Sequence, residues 1–161
     1  MRVLGIDPGI SGYFVELDTA EKAARYSPML IRPDGNLDSN AISDKFSFGS
    51  YDMIVIEDVS VNPLWGKKSI FNFAYNVGQL QLIVSQFPHI AVRSNAWKKA
   101  LGLMVTKGKD PKGPSAELFI RLNPFHGFKK PNHNLIDAYM LAHYALINSG
   151  ITMGGWNFIQ A

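Results

Sequence analysis

Two apolar runs, each closed by an acid, constrain the fold of this chain more than any other feature. Arg2-Val3-Leu4-Gly5-Ile6 leads into Asp7-Pro8-Gly9, and Met53-Ile54-Val55-Ile56 leads into Glu57-Asp58. A half-exposed strand alternates apolar and polar residues, whereas a strand covered on both faces is apolar throughout. Both runs therefore predict central strands of a sheet with helices packed on it. Pro8 and Gly9 stop the first strand in a turn, so Asp7 stands at its end, as Glu57 stands at the end of the other.

The remaining elements complete one α/β sheet. Residues 12–17 and 24–31 read as two further strands, the second stopped by Pro33, Asp34 and Gly35, which makes an antiparallel meander of the first three. A short helix is expected over 38–46. A longer one over 68–86 carries apolar residues around much of its circumference before Phe87 and Pro88 end it. A strand follows at 90–92, then a helix from Asn95 as N-cap to Leu101 with Gly102 as its stop. Lys107 to Pro114 reads as a basic loop, with helices over 115–122 and 134–147 after it. The expectation is a mixed five-stranded sheet, three strands antiparallel and then two parallel, flanked by helices. Residues 1–150 form one domain on this reading, and 151–161 are a C-terminal tail without a clear period.

Composition removes several classes of chemistry. The 161 residues include no cysteine, which excludes a disulfide framework, a thiolate zinc site and a cysteine nucleophile. The chain starts without the basic and apolar pattern of a signal peptide, and no window offers a membrane span, so a soluble cytoplasmic protein is expected. Lys and Arg outnumber Asp and Glu by 16 to 13. The surplus is mild, but the basic residues cluster at Lys67 and Lys68, from Arg93 through Lys112, and at Lys129 and Lys130, a pattern that suits a polyanionic partner.

Three acids interrupt or close apolar segments, where a lone charge costs several kcal/mol unless compensated. Asp7 and Glu57 end strands whose termini neighbour each other in a sheet. Asp137 sits within Leu135-Ile136-Asp137-Ala138-Tyr139-Met140, a helix too apolar for a surface salt bridge. Taken singly, each acid has an ordinary explanation: a turn, a strand end, a lysine pair. Taken together, they suit a hard divalent cation, which prefers oxygen ligands and leaves room for water and phosphate oxygens. Asp58 is set aside because strand alternation turns it away from Glu57.

Leu4-Gly5-Ile6-Asp7-Pro8-Gly9, Val55-Ile56-Glu57, Lys68-Ser69-Ile70-Phe71-Asn72-Phe73 leading to Gly78, Ala96-Trp97-Lys98-Lys99-Ala100-Leu101-Gly102-Leu103 and Ile136-Asp137-Ala138 follow in that order. In this order and spacing the sequence resembles the RuvC family of Holliday-junction resolvases, of the RNase H-like superfamily, and in particular its short phage-borne branch. The resemblance implies a crossover-junction endodeoxyribonuclease that cuts four-way DNA with symmetric paired nicks. It implies a magnesium cofactor, replaceable by manganese, on Asp7, Glu57 and Asp137. The family places another acid or a His three residues before the last one, where this chain has Asn134; His133 or Asn134 would complete the site. A homodimer is also implied, with the helix over 68–86 as its interface. Lys67, Lys68, Lys98, Lys99, Lys107, Lys109 and Lys112 would hold phosphates, and Trp65 would stack on bases, whereas core packing is the expectation for Phe71.

Three alternatives stay open at this point. An RNase H-like nuclease could act on other branched DNA or on RNA–DNA hybrids. A junction-binding protein of impaired activity would account for Asn134. The turn Asp7 to Gly12 also resembles the phosphate loop of actin-like ATPases, but those need two lobes, and this length supplies one.

Overall fold

The computed structural model describes residues 1–106, 108, 110–124 and 126–161, with every side chain among them but that of Phe48. Lys107 and Lys109, expected to hold phosphates, lie outside the described residues. The elements are β1 (Arg2–Asp7), β2 (Tyr13–Asp18), β3 (Ala23–Pro28), α1 (Ser39–Phe48), β4 (Met53–Glu57), α2 (Lys67–Val84), β5 (His89–Val92), α3 (Ser94–Ala100), α4 (Gly113–Leu122), α5 (His133–Asn148) and β6 (Asn157–Gln160). The sheet order is β5-β4-β1-β2-β3-β6. β1 pairs antiparallel with β2 and parallel with β4, and β4 pairs parallel with β5.

The continuous apolar runs do what their pattern requires. Along β1 and β4, Leu4, Ile6, Ile54 and Ile56 turn to a core built with α1 and α2, which also holds Ile42, Phe46, Leu80 and Val84. Val3 and Val55 turn to the opposite face and pack with α3, α4 and α5, around Trp97, Phe119 and Tyr139. Helix α5 is the main cover of that face; ten of its residues are buried. It crosses β1 at Gly5, where a Cβ would fall 2.0 Å from the Ala138 carbonyl oxygen and 2.6 Å from the Ala142 nitrogen. Only a residue without a side chain lets the helix backbone lie this close.

Four details differ from the sequence reading. The sheet has six strands, not five: the stretch after 150 contains β6, which pairs parallel with β3, while Trp156 is buried in the α5-side core. Its edge position and exposed side chains hide it from any periodicity argument. β3 stops at Pro28, the partner of the first residue of β2, and the chain then closes a hairpin through a lone Ile31–Leu37 bridge. Arg93, not Asn95, precedes α3, because β5 runs to Val92 in register with Glu57 and the helix starts two residues later. Phe71 is not a core residue; it is 68% exposed on α2 and stacked on Tyr75.

Candidate active site

Register and alternation set two of the three acids side by side. Ile6 pairs with Ile56 across β1 and β4, so Asp7 and Glu57 are the next residues along two parallel neighbours. Each is two residues beyond one that faces α5, Gly5 and Val55, so both carboxylates leave the sheet on the α5 side. Asp137 adjoins Ala138, whose carbonyl lies over Gly5. Two strand ends and the first turns of one helix thus bring the three acids to one corner, all partly buried.

Their ionisation registers this proximity. Burial pushes the Asp7 carboxyl up to about 8, with the charges of Glu57 and Asp137 adding to it and Lys112 and Lys98 opposing. Glu57 is raised by burial; Ser94 opposes, Asp137 adds, and Lys98 and Trp97 oppose again. Asp137 is raised by burial, against Lys98, Lys112 and His133. Three carboxylates that resist ionising together hold surplus negative potential, which a divalent cation relieves.

Among the described residues no three His, Asp or Glu side chains close into a finished metal cage. The donor set fits a magnesium-type ion: all-oxygen, partly desolvated, and few enough to leave positions for water and phosphate.

The other expected residues divide. His133, the first residue of α5, is exposed and sits one helical turn before Asp137, on which its charge acts. Lys98 acts on all three acids from α3, and its ammonium lies 5.0 Å from the centre of the Trp97 ring. Lys112 precedes α4 and acts on Asp7 and Asp137. Lys67, Lys68 and Lys99 are exposed. Asp58 pairs with Arg93 at 3.4 Å and lines the same groove as Glu57.

Asn134 is already engaged. Its Nδ2 donates to the Ser11 carbonyl at 2.7 Å and stands 3.2 Å from the Ser11 hydroxyl, joining α5 to the turn after β1. That turn is tightly wound: a Cβ on Gly12 would fall 1.9 Å from the Asp7 carbonyl oxygen. The side chain of Asn132 caps the helix by accepting from the Asn134 N–H at 2.8 Å. Sequence reasoning missed Ser11 and also Ser94. Ser94 reaches Glu57 because Val92, two residues before it, pairs with Glu57 across β4 and β5.

A groove of about 360 Å³ opens beside Glu57 and runs past Asp58, Ser60, Arg93 and Asn95. No family model matches the chain, and no curated protein matches it. Solved structures do. Thermus thermophilus RuvC in complex with a Holliday-junction substrate superposes with a TM-score of 0.61 at 15% identity, over 96% of this chain and 99% of that one. Another Thermus thermophilus RuvC structure gives 0.61 at 18% identity with the same coverage. At such identity the likeness is one of architecture, and the chain has the RuvC-type, RNase H-like fold.

Proposed function

We propose that the chain is a structure-selective DNA endonuclease that resolves Holliday junctions by divalent-metal-dependent phosphodiester hydrolysis. The observation that carries this reading is that Asp7 and Glu57 end neighbouring parallel strands of a RuvC-type sheet and that the charges of Glu57 and of Asp137 on α5 add to the burial that pushes the Asp7 carboxyl up to about 8. Asp7, Glu57 and Asp137 would hold magnesium, or manganese in its place. Such ions, when bound, supply an activated water and stabilise the leaving oxygen of a phosphodiester.

The protein's own groups do the rest. Asp7 keeps its proton near neutrality when no cation is present, and must release it for the site to fill. Lys98 and Lys112 set positive charge beside the acids, where a DNA phosphate would otherwise be repelled. Lys67, Lys68 and Lys99 add exposed charge for the flanking backbone.

Symmetric paired nicks require two sites related by a two-fold axis. Helix α2 offers the surface for that pairing: Phe71, Tyr75 and Leu82 share one stripe and are 68%, 50% and 69% exposed. The test is cutting of a synthetic four-way junction with magnesium and with chelator, beside a three-way junction and an RNA–DNA hybrid. Paired nicks on opposing strands, lost with chelator, from a protein that sediments as a dimer, are expected. No magnesium-dependent cutting of any substrate refutes the nuclease, and faster cutting of the hybrid moves the assignment to another substrate.

A further inference from the structure

One face of α2 changes character along its length. Toward the C-terminus, Val77, Leu80, Ile83 and Val84 on this face are buried against the sheet. Followed toward the N-terminus, the same side presents Asn76, Phe73, Asn72 and Ser69, at helical spacings of three, four and seven. There the apolar pattern gives way to a hydroxyl and an amide. These residues line a cavity of about 230 Å³ whose other walls include Gly9 and Gly35. Gly9 is two residues past Asp7, so the cavity opens at the same end of the sheet as the acids, on the α2 side, whereas the acids face α5.

The polar groups in it are not equivalent. Asn76 is committed: its Oδ1 accepts from the Leu37 N–H at 2.8 Å, and its Nδ2 donates to the Asn72 carbonyl at 2.7 Å. The Ser69 hydroxyl and the Asn72 amide have no hydrogen-bond partner among the described residues and face solvent. Phe73 supplies an aromatic wall, and Trp65 braces it edge-on, ring centres 5.2 Å apart. Neither glycine carries a Cβ to narrow the opening.

We propose that this cavity receives one unstacked nucleobase of the bound DNA, at the same end of the sheet as the acids. The inference rests on the nuclease reading and adds to it a means of selecting branched DNA. A flat heteroaromatic ring with donors and acceptors on its edge matches an aromatic wall plus a free amide and hydroxyl. Asn72 carries both a donor and an acceptor and can pair with a base edge in two places. Lys67 and Lys68, exposed at the start of the same helix, offer cations for the attached backbone. A base in intact duplex must be unstacked and unpaired to enter, whereas a base at a branch point is released at lower cost.

The experiment uses four-way junctions with 2-aminopurine placed in turn at each position around the crossover, bound by the full chain in chelator so that no strand is cut. Emission is expected to rise several-fold at one position and to stay flat there with Ser69→Leu, which fills the cavity from an exposed helix position. With magnesium, the four natural bases at that position are expected to differ in cutting rate by on the order of tenfold, and Asn72→Ala to level them. Binding and cutting with no emission change at any position, or a rise that survives Ser69→Leu, overturns the cavity inference and leaves the nuclease standing. A junction neither bound nor cut overturns both.

Discussion

Replacing Gly5 by Ala tests the contact on which the acid corner is built. The new Cβ would stand 2.0 Å from the Ala138 carbonyl oxygen and 2.6 Å from the Ala142 nitrogen, where ordinary contacts begin at 3.4 Å. Both obstacles are helix backbone, so no rotamer change relieves them, and α5 must back away from β1 by about 1.4 Å. Overpacking of this kind costs about 3 kcal/mol. Because Asp137 adjoins Ala138, the same displacement draws its carboxylate from Asp7 and Glu57, and a misplacement of about 1 Å costs on the order of a hundredfold in rate. Urea unfolding of Gly5→Ala, paired with junction cutting at a temperature where it remains folded, reads both effects. Gly66→Ala is the control: nothing lies within 4 Å of a Cβ there, and its φ of −63° suits any residue. A Gly5→Ala protein within about 0.5 kcal/mol of wild type that cuts at the wild-type rate would refute the close crossing of α5 over β1.

Two further expectations concern the acids and their neighbour. Asp7→Asn removes a carboxyl that the fold holds near 8 against 3.8 for the ordinary side chain. The metal-free native state therefore binds a proton that the unfolded chain has lost, and wild-type stability falls as pH rises from about 4 toward 8. Asp7→Asn should flatten that slope in chelator, stand several kcal/mol more stable at pH 8, and fail to cut; an unchanged slope in pH-dependent urea melts counts against the buried cluster. Asn134→Asp, which brings the chain closer to the family pattern, should slow cutting rather than rescue it. It exchanges the N–H donor on the Ser11 carbonyl for a second acceptor, at a cost of about 1–3 kcal/mol, and faster amide exchange at residues 9–12 in the metal-free protein should accompany the loss. A gain in cutting with unaltered exchange would make position 134 a missing ligand instead.

Much of this protein was legible from one dimension. The uniform apolar runs of β1 and β4 announce burial on both faces, because no other placement satisfies every side chain, and the acids that end them mark the candidate site. Asp137 stood out for the same reason, a charge in a helix otherwise too apolar to explain it. What only the tertiary structure decided is how those pieces meet. Gly5 reads as an unremarkable residue until α5 lies across it, and Asn134 reads as a departure until its amide is found on Ser11, 123 residues away. β6 has no pattern of its own; it is a strand because β3 offers a free edge and Trp156 a buried anchor. Periodicity reports which faces an element must cover, a local property of the chain, whereas the partner at each face is chosen by packing among segments far apart in sequence.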